Sequence, residues 1–236
     1  MSAFWHQHLF TLVIIASLLF IALTLMSILF YPGGTVNDPT TAGYSFSKNF
    51  FSELGLARSH AGQPNTISRV LFTFATTLAG LGLALFFVCF TQFFVRRPSE
   101  RIASIIGACF GLISGVCFIG VGAVTMDLHR HVHHEIVLWA FRTFLVAVAL
   151  NAVAIFRGRD YSRVFGWVFV TFGVLLTAYV LLLIVGPETS TPEGLSIQVV
   201  GQKVIVYASI VTILTEAVGA KRANRRQAKG PAAALA

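Results

Sequence analysis

The chain has 236 residues, 56% of them hydrophobic and 11% charged, with 22 Phe and a formal net charge of +8. Its mean hydropathy is +0.80. A soluble domain carries about a quarter charged residues, so this composition excludes a soluble globular domain, a disordered chain and a nucleic-acid-binding module.

A helix that crosses a bilayer needs roughly 20 mostly apolar residues, and six windows meet that need: 9–30, 68–95, 102–125, 135–156, 162–186 and 199–219. The first is a retained helix rather than a cleavable leader. Met1 to Phe10 contains no Lys or Arg, and the apolar run continues to Phe30, too long for a signal-peptide core. The expected fold is all-α, a polytopic membrane protein with one six-helix domain over 1–220 and a basic cytoplasmic tail over 221–236.

Between the first and second windows lies the longest connection, from Tyr31 to Thr66. Its middle reads Ser45-Phe-Ser-Lys-Asn-Phe-Phe-Ser-Glu-Leu-Gly55. At helical spacing, Phe46, Phe50, Phe51 and Leu54 share one side and Asn49, Ser52 and Glu53 the other, with Gly55 placed as a C-terminal cap. This pattern predicts a short amphipathic helix lying in the membrane interface.

The second window carries Thr76, Gly80 and Ala84, and the third Gly107, Gly111 and Gly115, each set spaced by four. Small residues at this spacing let helices approach closely in lipid. Packing within the chain is the preferred reading, and a homo-oligomer seam is the alternative. Cys89, Cys109 and Cys117 all fall inside helices, which fits packing rather than a disulfide framework or zinc knuckle.

The connection before the fourth helix is the densest polar cluster: Asp127, His129, Arg130, His131, His133, His134 and Glu135. A helix starting near Asp127 would align Asp127, His131 and Glu135, and would return to nearly the same direction at Arg142. His134 flanks that stripe and His133 points away, so His134 is the preferred member of a shared site. Arg142, one to two turns into the membrane, calls for an acidic partner at similar depth: Glu135, Asp127 or Glu53. In the sixth window Gln202, Ser209 and Glu216 repeat every seven residues, with Lys203 beside them. That stripe reads as a pathway wall or as interhelical hydrogen bonding.

Asp, His and Glu are zinc-type ligands, and three of them with an open position would be hydrolytic. The candidate metal set is Asp127, His131, His134 and Glu135, and zinc is the only cofactor considered. In a hydrolase, Asp127 and His134 would act as acid and base with Glu53 assisting. In a binding protein, Asn49, Ser52, Arg142, Gln202 and Lys203 would contact the ligand. No other cofactor and no nucleic-acid partner is expected.

Eleven of the seventeen basic residues lie in one set of loops and the tail: Arg96, Arg97, Arg101, Arg157, Arg159, Arg163, Lys221, Arg222, Arg225, Arg226 and Lys229. The positive-inside rule places these, and both termini, in the cytoplasm of a cell-membrane protein, and puts the polar cluster outside.

Asn49-Phe-Phe-Ser-Glu-Leu-Gly55 resembles the N-x-x-S-x-L-G signature of the DUF998 family of six-helix membrane proteins. The Asp127 to His134 segment is similar to that family's Asp-then-His element, with His133 or His134 as the counterpart. Gly201-Gln202-Lys203 resembles its Gly-x-Gln-basic stretch. The Ser-acid-x-Gly turn alone is similar to the Frag1/DRAM/Sfk1 membrane proteins. The resemblance implies fold and site location and supplies no reaction. Three functions fit: a protein binding membrane lipid or a small-molecule ligand, a membrane-embedded metal-dependent hydrolase, and a transporter or proton-coupled carrier.

Overall fold

The computed structural model describes residues 3–158 and 161–229. Arg159 of the basic loop and residues 230–236 of the tail lie outside the described residues. The elements are α1 (Ala3–Leu29), α2 (Thr66–Phe90), α3 (Pro98–Ala123), α4 (Arg130–Arg157), α5 (Arg163–Val185) and α6 (Pro192–Lys229). All six are long and apolar enough to cross a membrane. The expected all-helical fold is observed: this is a multi-pass membrane protein. Among the described residues the extended contacts are isolated bridges, Gly33 with Ala42 and Arg58 with Pro64.

Helix starts follow local chemistry. Pro98 opens α3, where a missing N–H costs nothing, and the Glu100 carboxylate accepts from the Arg96 and Arg97 N–H groups. Pro192 opens α6 two turns before the apolar window at Val199, and the Thr191 hydroxyl accepts from the Gly194 N–H. At its other end α6 runs on through the basic segment to Lys229, so the start of the tail is a helical extension.

Each helix packs on its sequence neighbours and α6 returns to α1, closing a ring. We call the side holding both termini the termini face and the other the loop face. The half nearer the termini face is filled with aromatic rings. Phe90 stacks on Phe86 at 4.9 Å between centroids and meets Tyr161 edge-on at 5.0 Å, with Phe10, Phe87, Phe93, Phe94 and Phe169 packed around them. Such pairs add about 0.5–1.5 kcal/mol each beyond burial.

The small-residue pattern is an intrachain seam. A Cβ on Gly80 would strike the Gly115 carbonyl oxygen, one on Gly115 would strike that of Gly80, and the Gly115 position also faces the Ala84 methyl at 3.1 Å. Gly111 accommodates the Phe87 ring and Gly107 the Asn151 side chain of α4. We expect Gly80→Ala to force α2 and α3 apart and destabilise the fold by about 1–3 kcal/mol. Gly173→Ala, whose Cβ would meet only Val148 Cγ1 at 3.7 Å, should leave the thermal midpoint in detergent unchanged or raised.

Candidate functional site

The α1–α2 connection folds back into the mouth of the helix ring. Gly33 and Gly34 turn it with φ of +126° and +84°, and a Cβ on Gly34 would collide with the His60–Ala61 backbone. Only glycine fits so close a crossing. The chain then descends to a 3-10 turn at Phe51–Gly55, in which all five residues are buried.

This corrects the expected interfacial amphipathic helix. Phe50 is extended at φ −61°, ψ 151°, which ends any helix before it. The turn has no side facing bulk solvent: all five residues are buried, Glu53 finds partners in protein and Ser52 borders the internal spaces. Phe51 packs edge-on against Phe72 and Tyr207. Gly55 is no left-handed cap: it lies flat against the Phe72 ring, where a Cβ would come within 3.0 Å. Phe46 stays 56% exposed, apart from the turn.

Helix side chains satisfy the backbone of this plug. The Phe51 N–H donates to Gln202 Oε1 at 2.6 Å. Lys203 Nζ donates to the Asn49 carbonyl at 2.5 Å and lies 5.2 Å from the centres of both the Tyr44 and Phe46 rings. Asn65 Nδ2 donates to the carbonyls of Leu54 and Leu56, and the Ser68 hydroxyl also donates to Leu54. The Tyr44 hydroxyl donates to the Asn49 and Phe50 carbonyls. Burial, and then the Glu53 carboxylate, push that hydroxyl well above its ordinary range, so it stays a neutral donor.

Within the plug, Asn49 Nδ2 donates to Glu53 Oε2 at 2.6 Å and to the Gly34 carbonyl of the same connection. Glu53 is fully buried, and its Oε1 faces His60 Nε2 at 3.4 Å. Asn49 therefore joins the buried Lys203 ammonium to the buried Glu53 carboxylate. Asn49, Glu53, Gln202 and Lys203, expected from sequence to meet a ligand or assist catalysis, are brought together as the brace of the plug.

Asp127 lies outside helix α4, in the turn before it, and its Oδ2 accepts from the N–H groups of Ala57 and Arg58 at 2.9 and 3.4 Å. Burial acts to raise its pKa, but the Thr125 hydroxyl and these N–H groups outweigh that and hold it below the ordinary 3.8. With α4 starting at Arg130, its inward stripe is His133, Val137, Phe141 and Phe144, all buried. His133, which periodicity from Asp127 pointed away, is the histidine that enters the bundle; His131 and His134 are exposed at the rim. Arg142 is exposed on the outer side of α4 and Glu135 is half-buried. Among the described residues the ion pair found is His60 with Glu53, so Arg142 does not meet the expected acid. Among the described residues, no three His, Cys, Asp or Glu side chains converge as a metal-holding group.

Below the plug lies a narrow, partly open apolar chamber of about 60 Å³. Phe20, Phe51, Thr76, Ala79, Phe141 and Val206 are among its walls, and it reaches down to Ile213. Gln202 and Ser209 line it, while Glu216 lies one turn beyond and is not among its lining residues. Towards the loop face a cleft opens between α4 and α6, edged by Arg130, His131, His133, His134, Gln198 and Thr189. Chamber and cleft share Ser52, Val137 and Gln202. Tyr44, Asn65 and Ser68 are not singled out by the sequence, although Asn65, immediately ahead of an apolar run, carries a helix-start signal; His133 is weighed there and set behind His134.

Lys203→Met should remove the ammonium that holds Asn49 and leave Glu53 buried without it. We expect a loss of about 3 kcal/mol, read as a lower thermal midpoint, with the exposed Lys48→Met unchanged. The depressed pKa of Asp127 contributes stability that is complete above 3.8 and is lost as pH falls through the lower folded-state value. Because Asp127 is exposed, the effect is about half a kcal/mol or less. Acid titration of wild type against Asp127→Asn should therefore show a small wild-type advantage that vanishes in strong acid.

Comparison with curated proteins and with solved structures finds no match. The family described as "Protein of unknown function (DUF998)" matches residues 14–216, nearly the whole helical domain. The chain therefore belongs to the DUF998 family.

Proposed function

We propose that this protein binds a lipid or a lipid-like amphiphile, its apolar part in the chamber and its polar end in the cleft. The observation that carries this reading is that Ser52, Val137 and Gln202 line both spaces, so the chamber and the cleft are separated by no more than these side chains. The cleft, at about 700 Å³, falls within the roughly 300–1,000 Å³ of small-molecule sites, and the chamber, at about 60 Å³, adds a narrow, mostly apolar slot beneath it. The family's signature residues support binding rather than chemistry here, since Asn49, Glu53, Gln202 and Lys203 are occupied in bracing the plug.

The charge distribution supports an orientation in the cell membrane with both termini cytoplasmic. The termini face carries Arg96, Arg97, Arg101, Arg157, Arg163, Lys221, Arg222, Arg225 and Arg226. The cleft then opens at the outer leaflet.

The test is lipid retention by protein extracted in mild detergent, read by native mass spectrometry. Wild type should carry lipid at near-stoichiometric levels. Ala79→Phe and Ser209→Phe, which fill the chamber from α2 and α6, should lose it while keeping a cooperative thermal transition. Equal lipid on either folded variant would overturn the reading.

A further inference from the structure

The groups at the mouth select the chemistry of the polar end. Arg130, His131, His133 and His134 all line the cleft, and none of its lining residues is Asp or Glu. They belong to the first turn of α4, whose N-cap residue, His129, makes no side-chain capping bond. The N–H groups of Arg130, His131 and Val132 find no backbone acceptor among the described residues, and the first N–H to be satisfied is that of His133, on the His129 carbonyl. Unsatisfied N–H groups and the positive end of the helix dipole together favour an anion.

His133 supplies the second, independent observation. It is 4% exposed, and its Nδ1 lies 2.6 Å from the Val124 carbonyl oxygen. A carbonyl only accepts, so Nδ1 carries the hydrogen. Nε2, across the ring, has no hydrogen-bond partner in the protein although it is buried. A buried polar atom without a partner calls for one, and this one belongs to a residue that edges the cleft. The Ser52 hydroxyl on the plug and the Gln198 side chain on α6 face the same space.

We propose that the cleft takes a hydroxyl-bearing anionic phospholipid headgroup, its phosphate held by the α4 N-terminus and Arg130 and a headgroup hydroxyl donating to His133 Nε2, with an acyl chain running into the chamber. This rests on the amphiphile reading and adds the headgroup class to it. A phosphate oxygen accepts from the free N–H groups and from the Arg130 guanidinium, and a headgroup hydroxyl donates to Nε2, which can only accept while Nδ1 carries the hydrogen. The apolar chamber beneath selects for a lipid over a free anion.

The experiment titrates the full chain in detergent with phosphatidylglycerol, with phosphatidylcholine of the same acyl chains, and with inorganic phosphate alone, each read by native mass spectrometry. Wild type should prefer phosphatidylglycerol by about five- to tenfold, the size of one hydrogen bond. Arg130→Gln, which removes a contact to the phosphate both lipids carry, should weaken both, whereas His133→Gln, whose amide can still donate to the Val124 carbonyl, should weaken phosphatidylglycerol alone and bring the two lipids towards parity. Equal affinity for both lipids in wild type, or a preference that survives His133→Gln, would overturn the headgroup assignment and leave the chamber reading standing. Inorganic phosphate binding as tightly as phosphatidylglycerol would overturn it in favour of a free-anion site. Uptake of neither lipid would fail the amphiphile reading itself.

Discussion

In hydrocarbon an unpaired peptide N–H or C=O costs several kcal/mol, so non-helical backbone enters a membrane protein only where protein surrounds it. The segment from Asn49 to Ala57 meets that constraint with borrowed side chains: Gln202 and Lys203 from α6, Asn65 and Ser68 from the start of α2, and Tyr44 and Asp127 from the neighbouring loops. The arrangement is mutual. Lys203 is 1% exposed and Gln202 9%, and each is tolerable on an otherwise apolar helix because the plug supplies its partner. The plug and α6 thus require each other, and the chamber exists because the plug stops where Phe51 meets Phe20 and Phe72.

How much of this could be read beforehand follows from the kind of signal involved. Six spans were legible because burial in lipid demands long apolar runs, and the α2–α3 seam because close approach demands small residues at fixed spacing. Gln202 and Lys203 stood out because polar groups in a span need a reason. The plug has the pattern of an amphipathic helix because Phe50, Phe51 and Leu54 alternate with Asn49, Ser52 and Glu53 at a spacing that also suits a buried turn surrounded by protein. Periodicity reports that two kinds of neighbour exist, and it is silent on whether the polar ones are water or protein.

The α4 cluster failed for a different reason. Its register was counted from Asp127, but that carboxylate is spent on the Ala57 and Arg58 N–H groups, so the helix begins three residues later. The inward stripe then holds one polar residue, His133, above Val137, Phe141 and Phe144, whereas His131, Glu135 and Arg142 lie on or towards the outer side. A side chain that ties two loops together leaves no trace in local pattern, because its partners are about seventy residues away.

The Gly80–Gly115 contact has a mechanical consequence. With backbone against backbone, α2 and α3 form a stiff wall that cannot close further and would lose its packing if it opened. The opposite wall is different: α5 and α6 share the thinnest seam between consecutive helices of the ring, and α4 and α6 face one another mainly across empty space. Compliance in this bundle is therefore one-sided. An occupant of varying girth would be accommodated where α5 meets α6, with the α2–α3 pair and the plug bonded to it serving as the fixed frame.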